Sequence, residues 1–278
     1  MHPVTSSTKP ARAFTRWAFF AYGILCYALF HLCFAGFVLF TANAFVPKGV
    51  DDGTPRSFLL ALAINLGLIA LFGVQHSLMA RPSFKRWWTR LVPQPVERAT
   101  YVLASNLCLA LLCWLWVPME GTVWSVQDSA ARTAIWGLFL LGWLFLVSAT
   151  FLLDHFELFG LRQVYDFLRG REARDKRFGT PGYYRVVRHP IQTGVFIFLW
   201  ATPDMSVGHL VLALGMSAYI VVGLWYEERD LMSLFGETYR EYQRAVPQLL
   251  PWIGWRSGYS GPDGLPPTVP VEVVTRRS

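Results

Sequence analysis

The sequence predicts an all-α fold, that of a polytopic integral membrane protein with five full transmembrane helices plus one short helix. Three observations predict it. Of 278 residues, 54% are hydrophobic and only 15% are charged, where a soluble domain carries about 25% charged residues. The charges gather in blocks instead of spreading along the chain. Between the blocks lie apolar runs of the length, about 20 residues, that crosses about 30 Å of hydrocarbon.

Four runs without Asp, Glu, Lys or Arg meet that length: Trp17–Val46, Ser57–Ala80, Ala99–Met119 and Thr133–Leu153. The first is too long for the apolar part of a signal peptide. A fifth region, Ile191–Tyr226, holds a single charge, Asp204, and breaks at the turn signal Ala201-Thr202-Pro203-Asp204. It divides into a short helix and a spanning helix over Met205–Tyr226. Between the fourth span and the short helix, Phe156, Phe159, Val164, Phe167 and Leu168 recur at helical spacing among charges, the pattern of an interfacial helix. From Gly254 the chain is rich in Gly, Pro and Thr and reads as a disordered tail.

Loop charges orient the helices. Arg12 and Arg16 precede the first span, and Arg81, Lys85, Arg86, Arg90 and Arg98 follow the second. Arg162, Arg169, Arg171, Arg174, Lys176, Arg177, Arg185 and Arg188 follow the fourth, while the alternate loops Pro47–Arg56 and Glu120–Arg132 hold few cations. The termini and the basic segment are therefore expected in the cytoplasm of a bacterial inner membrane. The same rule explains the net charge of +7 and leaves no call on nucleic acid as a partner; membrane lipid is the expected surrounding. Cys26, Cys33, Cys108 and Cys113 lie inside apolar runs without a C-x-x-C pair, as small packing residues do.

Polar groups near membrane helices are costly and point to function. His76 lies near the end of the second span, and Asp154, His155 and Glu157 follow the fourth. Arg188-His189-Pro190 opens the short helix, and Glu227-Glu228-Arg229 closes the last span. On the expected topology all four clusters fall at one depth on the cytoplasmic side. Such a site suits S-adenosylmethionine. Arg188 could pair with its carboxylate, and backbone N–H groups where Pro190 starts a helix add positive potential. Glu227 or Glu228 could hold its ammonium, and Tyr183, Tyr184 or Trp225 could stack on adenine or face the sulfonium. Taken singly, each has an ordinary reading: Arg188 as a positive-inside anchor, the glutamates as helix-end charges, His155 as a cap and His31 as a packed residue.

Gly179-Thr180-Pro181-Gly182-Tyr183-Tyr184-Arg185-Val186-Val187-Arg188-His189-Pro190, followed by Gly194, resembles the R-H-P-x-Y-x-G element of the isoprenylcysteine carboxyl methyltransferase and phospholipid methyltransferase group. Glu227-Glu228-Arg229, Phe235-Gly236, Tyr239, Tyr242 and Val246-Pro247 are similar to that group's ending. The resemblance implies S-adenosylmethionine binding by Arg188, His189, Pro190, Gly194, Glu227 and Glu228. Gln192 stands where the group has tyrosine. The variant Arg188-His189-Pro190-Ile191-Gln192-Thr193-Gly194 resembles the bacterial methanethiol S-methyltransferases, relatives of the NnrU-like proteins. So do Gln75-His76-Ser77-Leu78-Met79-Ala80-Arg81 and Asp154-His155-Phe156-Glu157-Leu158-Phe159-Gly160-Leu161. This implies methyl transfer to methanethiol, a small thiol, giving dimethyl sulfide. The chain then divides into an N-terminal segment, 1–16, a four-helix membrane region, 17–153, a methyltransferase core with the interfacial helix and helix pair, 154–253, and the tail, 254–278.

A free thiol titrates near about pH 8.5, so a thiol acceptor needs a base or a metal. His76, Asp154, His155 or His189 is expected as the base. Alternatively the same four, His76, Asp154, His155 and His189, converge on a divalent metal. Rival readings are a lipid methyltransferase, an NnrU-like haem-binding isomerase using His31, His76 or His155 as axial ligands, and a scaffold binding anionic lipid.

Overall fold

The computed structural model describes residues 13–171 and 178–251; the expected tail at 254–278 and most of the N-terminal segment lie outside them. Among the described residues, five helices are long and apolar enough to cross a membrane: α1 (Ala13–Thr41), α2 (Phe58–Ala80), α4 (Gln94–Leu115), α5 (Ser129–Leu153) and α9 (Val207–Phe235). The short helix is α8 (Pro190–Trp200). The smaller helical elements among the described residues are α3 (Pro82–Trp88), α6 (His155–Leu158), α7 (Leu161–Leu168), a 3₁₀ turn at Gly182–Arg185 and α10 (Glu237–Ala245).

Local chemistry sets the boundaries. Pro93-Gln94-Pro95 opens α4 five residues before the uncharged run, with a proline in the first turn, where its missing N–H costs nothing. At the other end of α4, Lys48 Nζ donates to the carbonyls of Trp114 and Trp116 at 2.6 and 2.7 Å, satisfying acceptors that the helix leaves open. Asn65, fully buried in α2, donates to Val117 O at 2.8 Å and accepts from Val117 N at 2.9 Å. Asp128 caps α5 by accepting from Ala131 N, and Ser206 caps α9 by accepting from His209 N. The last span runs on past Tyr226 to Phe235, carrying Glu227, Glu228 and Asp230 in helix.

No strand is expected from the sequence, and among the described residues there are two. β1 (Thr122–Ser125) and β2 (Asp204–Ser206) pair antiparallel with Thr122 opposite Ser206 and Ser125 opposite Asp204. They join the α4–α5 loop to the α8–α9 turn, and Arg132 clamps Asp204 with both guanidinium nitrogens at 2.9 and 2.6 Å. Strands this short leave no alternating pattern to read.

In the bundle α4 lies between α1 and α2, α2 meets α9, and α5 packs along α8. The core joins Phe37, Phe40, Phe72, Leu112, Trp116, Phe198, Leu199 and Leu212 from five helices. Helix α8 has 11 residues, a length of about 16 Å, so its last carbonyls fall inside the apolar layer. His209 Nε2 donates to one of them, Leu199 O, at 2.9 Å, as a backbone end away from water requires. The expected interfacial helix is divided at Gly160, whose φ is 85°, into α6 and α7, and α7 lays Val164 against Gly23 of α1.

Candidate active site

Three polar clusters sit at the end of the bundle that carries the basic loops. The densest is built where α8 begins. Arg188 Nε donates to Glu228 Oε1 at 2.8 Å, and His189 Nε2 donates to the same oxygen at 3.0 Å. Gln243 of α10 donates to the other oxygen, Oε2, at 2.8 Å. Arg188 Nη1 also donates to the carbonyls of Gln243 and Val246. The chain after α10 lies alongside: Arg188 N and His189 N donate to Pro247 O and Gln248 O at 2.9 and 3.1 Å, and Thr193 Oγ1 to Leu249 O at 2.7 Å. The two N–H groups ahead of Pro190 are thus taken by backbone carbonyls.

Below this knot Phe178, Phe235, Tyr239, Tyr242 and Val246 form an aromatic floor. Tyr242 donates its hydroxyl to Tyr184 O. Tyr239 is 1% exposed, and its hydroxyl has no partner among the described residues. Burial pushes the phenols of Tyr184, Tyr239 and Tyr242 well above their ordinary range, so they stay neutral.

The adjacent glutamates part company. Glu228 is buried, whereas Glu227 is exposed and makes no ion pair or hydrogen bond among the described residues. Its carboxylate acts electrostatically on four phenols: Tyr184 and Tyr239 of the knot, Tyr219 of α9 and Tyr101 of α4. The second cluster is built around His76. There His76 Nε2 meets the Tyr101 hydroxyl at 2.8 Å and Nδ1 meets Ser105 Oγ at 3.2 Å.

The third cluster surrounds His155, with Nε2 at 2.7 Å from the Tyr27 hydroxyl and Nδ1 at 2.7 Å from Thr150 Oγ1. Asp154 accepts from Glu157 N at the start of α6 and pairs with Arg162 at 2.7 Å. The expected convergence of His76, Asp154, His155 and His189 on a metal is corrected here. Among the described residues no three His, Cys, Asp or Glu side chains come together to hold an ion. The physical reason is that hydroxyls and carboxylates already occupy the ring nitrogens in three separate clusters. His76 and His155 each use both nitrogens, so axial ligation to haem would cost existing bonds.

Other expected residues have other surroundings. Gly194 faces α5: a Cβ there would lie 2.6 Å from Gly142 O and 2.8 Å from Leu146 N. Gln192 is half-buried in the first turn of α8. Trp225 carries the Arg229 guanidinium 4.6 Å from its ring centre. Tyr183 packs on Phe145 at 4.6 Å, at the lip of an apolar groove of about 670 Å³ along α5 and α8. Gln243, Tyr101 and Ser105 were not foreseen. Gln243 sits in a polar helix among similar residues, and Tyr101 and Ser105 lie within an apolar run; no motif marks them.

These features define a class: a helical membrane protein with a buried charge knot and an unpaired carboxylate among phenols at one end. A family model described as NnrU protein matches residues 64–253. The chain is 45% identical to the methanethiol S-methyltransferase of Crocosphaera subtropica over 85% of this chain and 92% of the relative. It is 46% identical to the Mycobacterium tuberculosis protein of the same name, over 83% and 95%. Nurim of Sus scrofa is 31% identical over 67% of this chain and 74% of its own length. The chain belongs to the NnrU family. No solved structure shows a significant match.

Proposed function

We propose that the protein is an S-adenosylmethionine-dependent thiol methyltransferase of the bacterial inner membrane, its site open to the cytoplasm. It converts methanethiol to dimethyl sulfide. The observation that carries this reading is 44–47% identity to several proteins named methanethiol S-methyltransferase, over 83–91% of the chain. The donor supplies an electrophilic methyl group on a sulfonium.

The residues at the site fit such a cation. Glu227 is the free carboxylate for the ammonium or sulfonium charge, and the phenols of Tyr184 and Tyr239 offer ring faces and an unpartnered hydroxyl. Glu228 holds Arg188 and His189 in place instead of meeting the donor. Arg188 keeps its Nη2 edge for the carboxylate. His189, Pro190 and Gln192 set the first turn of α8 beside it, Tyr183 flanks Tyr184 on the 3₁₀ turn, and Gly194 lets α8 lie close against α5.

Headspace gas chromatography of purified protein given S-adenosylmethionine and methanethiol tests this, with isothermal titration of the donor alone beside it. Wild type should release dimethyl sulfide, and Glu227→Gln should weaken donor binding at least tenfold, about 1.4 kcal/mol. Product without any change in Glu227→Gln would remove Glu227 from the site. A second reading, a lipid acceptor, is favoured by the apolar groove that ends at Tyr183. Radiolabelled methyl in the lipid extract, with none in the headspace, would establish it instead.

A further inference from the structure

Two histidines sit in the same kind of hydrogen-bond chain. Ser105 donates its single hydroxyl proton to the Tyr101 carbonyl at 3.0 Å. With that proton assigned to the carbonyl, the Ser105 oxygen accepts from His76 Nδ1. Nδ1 carries the ring proton, so Nε2 of the neutral ring is an acceptor and receives the Tyr101 phenol proton at 2.8 Å. His155 repeats the pattern. Thr150 donates to Val147 O at 2.6 Å, His155 Nδ1 donates to Thr150 Oγ1, and the Tyr27 phenol donates to Nε2.

Surroundings separate the two chains. Tyr101 lies under the Arg98 guanidinium, 4.8 Å from its ring centre, and within the field of Glu227 and Arg81. Tyr219 of α9 meets His76 edge-on at 6.2 Å. The His155 chain instead adjoins His31 and Asp154 and stacks on Phe151 at 4.1 Å. Of the two, the His76 chain is the one whose phenol lies in the field of the carboxylate proposed to hold the donor.

We infer that Tyr101 is a catalytic residue that takes the proton of the thiol and passes its own to His76. The inference rests on the thiol methyltransferase reading. The phenol oxygen gives its hydrogen to His76 and keeps lone pairs for an incoming S–H. As the sulfur pair forms the new S–CH₃ bond, the S–H proton moves to the Tyr101 oxygen. The Tyr101 proton moves to His76 Nε2, leaving an imidazolium whose Nδ1–H stays on Ser105. The donor's S–CH₃ bond breaks with its pair remaining on the donor sulfur. Arg98 over the ring offsets negative charge on the phenol oxygen during the transfer. Tyr101 is 4% exposed, so a proton on its oxygen is screened from bulk water.

Tyr101→Phe should lower kcat at pH 7 about 100-fold, within the usual range for proton transfer catalysis. The deficit should narrow about tenfold per pH unit up to the thiol's own titration near about pH 8.5 or above, because the substrate then ionises in solution. The groups facing this chain that could add their own pH dependence are Arg81, Arg98, Tyr219 and Glu227, all present in both proteins. Tyr27→Phe, which loses the equivalent bond in the other chain, should keep the wild-type rate. Donor-free protein labelled with ¹⁵N-histidine supplies a readout apart from turnover: His76 should carry its proton on Nδ1. A proton on Nε2, or a Tyr101→Phe loss of equal size at every pH, or no loss, overturns the assignment while the methyltransferase reading stands. If Tyr101→Phe does not fold, Ser105→Ala takes its place, with a smaller loss of the same pH shape expected and a pH-independent loss overturning the assignment. A wild type that makes no dimethyl sulfide at any pH overturns the thiol reading and this assignment together.

Discussion

Glu227 and Glu228 are one residue apart, and one step along an α-helix turns a side chain by about 100°. That rotation buries Glu228 against Arg188, His189 and Gln243 and leaves Glu227 open among phenols. The sequence marked both as one acidic pair; the difference lay in α10, whose approach to α9 no local pattern encodes. Glu228→Ala strands a buried guanidinium and should cost about 3–5 kcal/mol of stability. Glu227→Ala should stay within about 0.5 kcal/mol of wild type, so thermal unfolding in detergent distinguishes the two. His155 gives a pH signature of its own. Burial lowers its proton affinity, His31 adds to this, and Asp154 opposes it. The unfolded chain thus binds a proton near about pH 6.5 that the folded chain refuses until a lower pH. Stability is full above that value and falls as pH drops through it towards the folded one. The melting temperature should therefore decline between pH 7.5 and 5, and His155→Asn should remove that part of the decline.

Among the elements, α8 is the one whose shape the site depends on. The sequence announced it through Pro190, the break at Pro203 and a run too short to span. All five full spans were legible too, because hydropathy over about 20 residues is a strong signal. Their ends were less so: α1 stops at Thr41, where Thr41 bonds Val38 O and the chain turns through Asn43 and Phe45 at positive φ. An uninterrupted apolar run to Val46 hides that turn. The role of Gly194 was legible as a motif position but not as packing. A Cβ at Gly194 meets backbone atoms of α5 on two sides, whereas one at Gly36 in α1 meets nothing within 4 Å. Gly194→Ala should therefore destabilise by about 1–3 kcal/mol through forced separation of α5 and α8. Gly36→Ala should stabilise by about 0.4–1 kcal/mol through the unfolded chain's lost freedom. Melting curves of the pair give opposite signs; the same sign for both would place α5 farther from α8 than described.

At the scale of the whole molecule, one asymmetry of charge sets how the bundle sits. The hairpin end carries Lys48, Arg56 and Arg132 beside Asp51, Asp52, Glu120, Asp128 and Asp204. Of these cations Lys48 is consumed on α4 carbonyls and Arg132 on Asp204. The opposite end carries Arg81, Lys85, Arg86, Arg90, Arg98, Arg162, Arg169, Arg171 and Arg185. An excess of Lys and Arg in short loops favours the cytoplasmic side, which supports the orientation proposed above for the knot of Arg188 and Glu228. The rise of α9 puts Glu228 about 30 Å from the hairpin end, the thickness of the hydrocarbon layer. The four native cysteines lie in helices, one buried and three half-buried, so a membrane-impermeant maleimide should find little background. Cysteine introduced at Asp52 or Glu120 should react in intact cells, and cysteine at Arg90 or Arg185 should react only after lysis. The reverse pattern would turn the site outward, away from the cytoplasmic pool of S-adenosylmethionine, and the proposed reaction would lose its donor.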